Sequence, residues 1–451
     1  MKNQVFSWLE QLIERHKAQF VDLGLVDLSG RMRRVTLPVS AVDASILTEG
    51  VGFDGSSYGL VMVEASDMVM VPDLSTGHRD PFRAEPTLSF LASAHIAADG
   101  LPLSDQDTRG ILARAVGYLR SSGIADEILF APEYEFYIFD QVEIDSTTTS
   151  AGYRVHDAED NDGKAYHLSS PWDLHAGFRD EAVNMLVQFG MNVRYHHHEV
   201  GGHGQQEIES ALEPAIKAGD HAVMVRFLLK NLAQRHGLQL TFMPKPLYGQ
   251  AGNGWHVHQQ LRKGGANVFA DAAGYAGLSS TALSWIAGIL THGQALAGLT
   301  NASTNSYRRL TRGFEAPVSL IFGPADRTAA VRIPRWARGD ATRVEYRAGD
   351  LTGNPYLSLA ALIMAGIDGV EQGLDPVKKG FGPDTPRDKV KTLPFSLWAA
   401  LSALETDHAF LTKGGVFPES LIANWLKTKR AENEDVERRP HPREFAIYFD
   451  L

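Results

Sequence analysis

Ionisable side chains at alternate positions of strand-like segments constrain this chain more than any other feature. In a strand, residues two apart point to the same face. The segment "LFAPEYEFYIFD" (129–140) therefore directs Glu133 and Glu135 to one face, and Tyr134 and Phe136 to the other. Two like charges side by side cost free energy unless a positive group neutralises them. This strand therefore predicts a cationic partner.

The same arrangement recurs in three further segments, "NGWHVHQQL", "TRVEYRAG" and "RYHHHEVGGHGQQEIE". Their ionisable residues on a shared face are His256 with His258, Arg343 with Glu345 and Arg347, His197 with Glu199, and Glu207 with Glu209. Any one segment could be a strand with one solvated face. Four such segments together favour a polar cavity that faces inward.

The bulk composition excludes several function classes. With 451 residues the chain is long enough for two or more domains. Its net charge of -11 disfavours nucleic acid and anionic membranes as partners. The absence of cysteine excludes disulfides, thiolate zinc sites and cysteine nucleophiles, and agrees with a cytoplasmic protein. The N-terminus does not read as a signal peptide, and the most apolar window, 280–300, predicts a buried helix rather than a membrane span.

A change of pattern at residue 104 suggests where the domains divide. Ser104 precedes "DQDTRGILARAVGYLRSSG", which is typical of a capped helix. We therefore predict two domains, 1–103 and 104–451. The segment 371–392 is rich in Gly, Pro and charge and predicts a surface loop. Further helices are predicted at about 173–189, 213–236, 276–299, 355–372 and 393–405.

The available ligand types narrow the chemistry. Glutamate oxygens with at most a histidine, and no sulfur, suit magnesium or manganese. Arginines, which bind carboxylate and phosphate in bidentate fashion, crowd into a short stretch at Arg309, Arg327, Arg332, Arg335, Arg338, Arg343 and Arg347. The chain has no phosphate-binding loop, nucleophile elbow or dinucleotide fingerprint. These residues alone indicate a metal-dependent phosphoryl-transfer enzyme or ligase with an anionic substrate.

Six motifs in order resemble class I glutamine synthetase. They are "FDGSSYGLVMVEASDM" (53–68), "PEYEF" (132–136), "HHEVGGHGQQE" (197–207), "FMPKPLYGQAGNGWHVH" (242–258), "TNSYRRLTRGFEAPV" (304–318) and "RVEYRAGDLTGNPYL" (343–357). The resemblance implies an α+β protein with an N-terminal β-grasp domain and a larger catalytic domain, built on a curved antiparallel sheet with surrounding helices. It also implies a homo-oligomer, a dodecamer of two hexameric rings, whose active sites form between subunits.

The resemblance also implies roles for particular residues. The ligands of two metal ions would be Glu135, Glu199 and Glu207 for one ion, and Glu133, His256 and Glu345 for the other. Residues for ATP and its phosphates would be His197, His258, Gln260, Arg327, Arg332 and Arg343. The amino-acid substrate would meet Ala251, Gly252, Arg309, Glu315 and Arg347. The catalytic residues would be Asp54 at the ammonium site, Glu315 on a closing flap, and Arg327.

The implied reaction is the ATP-dependent synthesis of glutamine from glutamate and ammonia through γ-glutamyl phosphate, with Mg²⁺ or Mn²⁺. Two alternatives remain open: a γ-glutamyl ligase that uses an alkylamine or polyamine, and a catalytically inactive structural or regulatory relative. Asp54 and Glu315 favour ammonia. Ala251 favours another substrate, because the family usually has an asparagine there, and Asn253 could shift to compensate. Gln260 replaces an expected serine, and no match to the adenylylation loop of some members lies in 371–392.

Overall fold

The computed structural model describes residues 2–157, 159, 164–313, 315–386 and 388–449. Helix α1 (Lys2–His16) is followed by a sheet with the strand order β2-β1-β5-β4-β3. Its strands are β1 (Phe20–Val26), β2 (Met32–Pro38), β3 (Val51–Asp54), β4 (Asp67–Arg79) and β5 (Thr87–Ile96). Leu9 and its helical neighbours pack α1 onto this sheet, because apolar residues three or four apart share a helix face.

A second, larger sheet lies in the rest of the chain, and its main path runs β15-β16-β17-β13-β6-β10-β9. The strands after β5 are β6 (Glu127–Phe139), β7 (Gln141–Ser146), β8 (Ala151–His156), β9 (Val193–His198), β10 (Gln205–Ser210), β11 (Glu213–Pro214), β12 (Gln239–Thr241), β13 (Trp255–Lys263), β14 (Ala266–Asn267), β15 (Ser319–Pro324), β16 (Ala329–Ile333) and β17 (Val344–Tyr346). Neighbours on this path are antiparallel except β15 and β16, which are parallel. Strands β7 and β8 form a separate hairpin.

Helices occupy much of the rest of the chain, and several of them pack against strands of the larger sheet. They are α2 (Thr108–Ser121), α3 (Ala176–Gln188), α4 (Ala215–Arg235), α5 (Ser280–Thr291), α6 (Gly293–Thr300), α7 (Ser306–Arg309), α8 (Pro355–Glu371), α9 (Leu397–Thr406), α10 (Ala409–Thr412), α11 (Glu419–Glu437) and α12 (Pro442–Tyr448). Tyr134 and Phe136 of β6 join the large buried core with these helices. The predicted alternation of β6 is therefore present, with its glutamates on the opposite face.

Buried polar contacts fasten the two sheets together. Arg109 of α2 makes a bidentate ion pair with Asp220 of α4, at 2.8 and 2.9 Å, and also bonds Asp73 of β4 at 2.8 Å. Asn354 donates to the carbonyl of Asp27 at 3.0 Å. The segment between β5 and α2 contains the predicted boundary after residue 103, which stays a prediction.

The apolar window 280–300 forms two helices, α5 and α6, that meet at His292. The imidazole lies between Asp368, at 2.9 Å from Nε2, and Asp407, at 2.9 Å from Nδ1, and stacks on Phe410. Lys413 bonds the second oxygen of Asp368 at 2.7 Å. The sequence predicts one helix over about 276–299, which is wrong, because the chain divides into two helices at His292, beside this charged cluster. Among the described residues no helix is both long and apolar enough to cross a membrane.

His292 makes stability depend on pH. Burial disfavours its protonation, but hydrogen bonds with Asp368 and Asp407 outweigh burial and raise its pKa above the usual value. Its stabilisation is therefore complete below the unfolded-state pKa of about 6.5 and is lost as pH rises through the higher folded-state pKa. We expect His292→Gln to cost about 2 kcal/mol at pH 6 and less at pH 9, measured by denaturant unfolding. A penalty that is equal at both pH values would contradict this.

Candidate active site

Cross-strand register brings the predicted polar residues together on one face of the larger sheet. Directly paired residues of antiparallel strands share a face and lie about 4.5–5.5 Å apart at Cα. The pairs run obliquely across six strands: His197 with Glu207, Glu207 with Glu135, Glu209 with Glu133, Glu133 with His256, His258 with Glu345, and Glu345 with Arg332. This register produces the shared face of ionisable residues that the sequence predicts.

Three groups of side chains on this face have the composition and spacing of metal ligands. Within each group the candidate ligand atoms lie within 4.8 Å of one another. The groups are Glu133, His256 and Glu345; His197, Glu199 and Glu207; and Glu133, Glu209 and His258. The first equals one predicted ligand set. The second contains two of the three residues predicted for the other ion, with His197 in place of Glu135.

The carboxylates at one end of this face have hydrogen-bonding or ion-pair partners within the chain. Glu133 accepts hydrogen bonds from His256 at 2.8 Å and from His258 at 2.9 Å. Glu345 pairs with Arg347 at 2.6 Å and also with Arg332. Burial alone would raise the pKa of Glu133, but its bonds to His256 and His258 hold that pKa well below its usual range.

The carboxylates at the other end have little compensation. Burial, followed by the charges of Glu135 and Glu133, raises the pKa of Glu199 to about 9, and one buried oxygen of Glu199 has no hydrogen-bond partner among the described residues. Burial and the same neighbours raise the pKa of Glu207 well above its usual range. His197 lies 3.7 Å from Glu199, but burial lowers its pKa and favours the neutral ring. A divalent cation would supply the missing charge, so these residues fit one.

The Glu135 carboxylate is held by the backbone beside the cluster. Gly254 donates its N–H to Glu135 at 2.6 Å, and the Glu135 oxygen Oε1 lies 3.6 Å from His256. A Cβ atom at Gly254 would lie 2.6 Å from both His256 and Arg309, so the close approach requires glycine. Glu135 thus lies between Glu207 of one ligand group and His256 of another.

Two buried arginines, Arg309 and Arg347, contact residues of the same face, His256 and Glu345. Arg309 donates to the carbonyls of Arg347, Ala348 and Gly349 at 2.9–3.1 Å. Arg347 bonds Glu345 and donates to the carbonyl of Arg327 at 3.3 Å. Guanidinium groups held at fixed positions in a buried site are suited to binding anionic substrates.

Other predicted residues form an exposed rim. Arg327 pairs with Glu315 at 3.4 Å, and both side chains are at least half exposed. Glu315 has a positive φ of 56°, which is unusual for a residue with a side chain. Arg343 is buried, and its guanidinium lies 4.4 Å from the ring centroid of Trp336. The exposed rim therefore carries the Arg327–Glu315 ion pair, and Arg343 lies buried against the exposed ring of Trp336.

Three predicted residues do not present free side chains to the cluster. Asp54 is exposed on the N-terminal sheet and bonds Ser56 and Ser57, both at 2.6 Å. Gln260 is buried and donates to the carbonyls of Asp340 and Thr342, at 2.9 and 3.0 Å.

The third is Ala251, which contributes its backbone carbonyl. That carbonyl accepts from Tyr137 at 2.7 Å, and Gly252 lies beside it with its own carbonyl bonded to Gln205. The amide of Asn253 bonds Gln205 and Met243, so it does not replace the asparagine amide that the family usually has at position 251.

Sequence reasoning missed several residues of the site. Tyr166 stacks on His167 at 4.0 Å, and both rings contact His197, at 5.4 and 4.4 Å between centroids. Their segment has no strand period that would have revealed them. Glu209 was recognisable as a same-face neighbour of Glu207, but its position opposite Glu133 depends on strand pairing.

Comparison with known proteins agrees with this architecture. The glutamine synthetase β-grasp domain family matches residues 17–95, and the glutamine synthetase catalytic domain family matches residues 105–448. Glutamine synthetases of Mycolicibacterium smegmatis and Streptomyces coelicolor are each 40% identical over 98% of both chains. The Plasmodium falciparum glutamine synthetase structure has a TM-score of 0.91, covering 99% of this chain and 98% of that one, at 24% identity. Apo GmaS has a TM-score of 0.81 at 27% identity, covering 98% of this chain and 99% of that one.

A β-grasp domain followed by this catalytic domain, with clustered carboxylates and arginines, defines a carbon–nitrogen ligase that uses ATP and a divalent cation. The chain belongs to the glutamine synthetase family. The predicted α+β fold class and family are thereby confirmed.

Metal binding can be tested at Glu207, one of the two carboxylates with little compensation. Glu207→Gln removes a buried carboxylate, so we expect it to raise the unfolding midpoint in EDTA by roughly 2 °C. The same change should weaken one Mn²⁺ site by more than about tenfold. Equilibrium dialysis and thermal unfolding measure the two effects. Glu143→Gln, on the exposed hairpin, is the control and should change neither. Unchanged Mn²⁺ binding by Glu207→Gln would contradict the assignment.

Proposed function

We propose that this enzyme forms glutamine from glutamate and ammonia, with ATP, through γ-glutamyl phosphate. The observation that supports this most is the grouping of charged residues around Glu135. The under-compensated carboxylates Glu199 and Glu207 interact with Glu135, and so do the buried arginines Arg309 and Arg347. Carboxylates and arginines gathered in this way suit a cation with an anionic nucleotide and an anionic amino acid together. Two or more Mg²⁺ or Mn²⁺ ions, when bound, would offset phosphate charge and polarise the transferring phosphoryl group.

The chain's own residues would orient the first step. Arg309 and Arg347 would hold the glutamate carboxylates beside the Ala251–Gly252 backbone, and Arg332 would face the charge that develops on the phosphoryl group. The nucleotide would be bordered by Arg343, His197 and His258. Gln260 would contribute indirectly, through its hydrogen bonds to the loop at Asp340 and Thr342. The γ-carboxylate then attacks the terminal phosphorus of ATP, and ADP leaves.

The second step needs a carboxylate that attracts ammonium and a base that deprotonates it. Hydrogen bonds from Ser56 and Ser57 lower the pKa of Asp54 to about 2, so Asp54 stays charged at neutral pH. Glu315, beside Arg327 on the exposed rim, would close over the site and exclude water from the acyl phosphate. Ammonia then displaces phosphate to give the amide.

A γ-glutamyl ligase for a larger amine is the second candidate. Ala251 supports it, because the small side chain leaves the substrate without an amide contact that Asn253 does not replace. The similarity to GmaS, at 27% identity over nearly the whole chain, keeps this candidate open. An inactive assembly is disfavoured by the full set of carboxylates, imidazoles and arginines on one face.

A panel of amines separates the candidates. With glutamate, ATP and Mg²⁺ or Mn²⁺, we expect phosphate release to be fastest with ammonium and at least about tenfold slower with methylamine or putrescine. Asp54→Asn should raise the KM for ammonium by about tenfold or more, because it removes the charge that attracts the cation. Background release with ammonium and turnover with a larger amine would overturn the proposal. No turnover with any amine would favour the inactive relative.

We further propose a dodecamer of two hexameric rings in which Asp54 serves the site of the adjacent chain. Asp54 is exposed on β3 and bonds Ser56 and Ser57 rather than a residue of the carboxylate cluster, which supports a role toward another chain. A cytoplasmic location stays a prediction.

Mixing two inactive variants tests the shared site. Asp54→Ala and Glu135→Ala would each inactivate a different half of the site. Co-assembled at equal amounts, they should regain roughly a quarter of wild-type activity, because that fraction of random interfaces pairs two intact halves. Separately assembled variants that are then combined without subunit exchange are the control. No recovery in verified mixed oligomers would contradict a site built from two chains.

A further inference from the structure

A fully buried histidine–glutamate pair lies directly behind the carboxylate cluster. His198 Nε2 is 2.7 Å from Glu159 Oε2, and neither side chain has any exposed surface. The same ring bonds the backbone carbonyl of Glu199 through Nδ1, at 2.7 Å. None of the six motifs or the proposed ligand sets uses Glu159, and His198 is the end of strand β9, one residue before Glu199.

The geometry fixes the direction of the first of these hydrogen bonds. A carbonyl oxygen can only accept, so Nδ1 of His198 carries a proton and donates it to Glu199. Nε2 shares the second hydrogen bond with the Glu159 carboxyl group. The imidazole thus links a buried carboxylate to the backbone of the residue whose side chain faces the cation cluster.

The pair also holds the segment that carries the aromatic rings of the site. Glu159 Oε1 accepts from the N–H of Leu174 at 3.1 Å, and the carbonyl of His198 accepts from the N–H of His167 at 3.0 Å. His167 and its neighbour Tyr166 are the rings that contact His197. One buried pair therefore connects strand β9, the Glu199 backbone and the loop at 164–175.

We propose that Glu159 and His198 are positioning residues, which hold Glu199 and the Tyr166–His167 rings in the geometry that binds the cation of the His197–Glu199–Glu207 group. Residues behind metal ligands that fix their orientation commonly change metal affinity by about 10- to 100-fold when removed. The inference rests on the metal assignment within the proposed function, and not on which amine is used.

Mn²⁺ binding without substrates, followed by electron paramagnetic resonance and equilibrium dialysis, tests the proposal. Glu159→Ala should weaken one Mn²⁺ site by about 10- to 100-fold and leave the other within about threefold. Glu159→Gln should bind nearly as the unsubstituted chain does. Its amide oxygen can accept from Leu174, and its NH₂ can donate to Nε2 of a neutral His198 that still donates to Glu199. His198→Ala should repeat the selective loss, which provides a second variant if Glu159→Ala does not fold.

The chain offers a matched control in another buried pair. His221 Nδ1 is 2.8 Å from Glu213, and both side chains are nearly inaccessible. Glu213→Ala should cost comparable stability but leave both Mn²⁺ sites unchanged. Normal Mn²⁺ binding by both alanine variants of the 159–198 pair, or an equal loss in Glu213→Ala, would overturn the positioning role. Absence of Mn²⁺ binding by the unsubstituted chain would overturn the metal assignment itself, whatever amine the enzyme uses.

Discussion

The pairing register of the central strands is the constraint on which the rest of the structure depends. Because β6 lies between β10 and β13, Glu133 and Glu135 face residues of both neighbours on a single side of the sheet. A slip of one residue would turn every one of these side chains into the apolar core. The helices on the other side pack against Tyr134 and Phe136. This packing stabilises the fold, and it also maintains the register that places the glutamates on the site's face.

The register concentrates negative charge, and the chain compensates it unevenly. Imidazoles hydrogen-bond with Glu133 and guanidiniums pair with Glu345, so the carboxylates at that end of the face have partners within the chain. Glu199 and Glu207 are buried among like charges, which destabilises the fold locally in the absence of a cation. A binding site that lowers the stability of its own fold is a sign of selection for function rather than for stability.

The sequence predicted which residues share a face, since alternation within a strand is a local property. It did not predict which strands are neighbours, so Glu209 was recognised without its partner Glu133, and Glu159 was not singled out. Two helix boundaries also differ from the prediction: the helix expected over 276–299 divides at His292, and the N-cap of α2 is Asp107, which accepts from Gly110, rather than Ser104. Helix α11 was not predicted, because its sequence is rich in charged residues and few apolar residues mark its buried face. Trp425 and Leu421 are among the residues that this face buries.

The floor and the rim of the site are determined in different ways. Floor residues such as Glu133 and His256 are buried, and backbone ladders of one chain fix their separation. Rim residues such as Glu315 and Arg327 are exposed, and they pair with each other at 3.4 Å. Cation and phosphate chemistry needs fixed distances and matches the floor. In the proposed reaction, capture of a small amine and exclusion of water need closure, which substrate or an adjacent chain would complete.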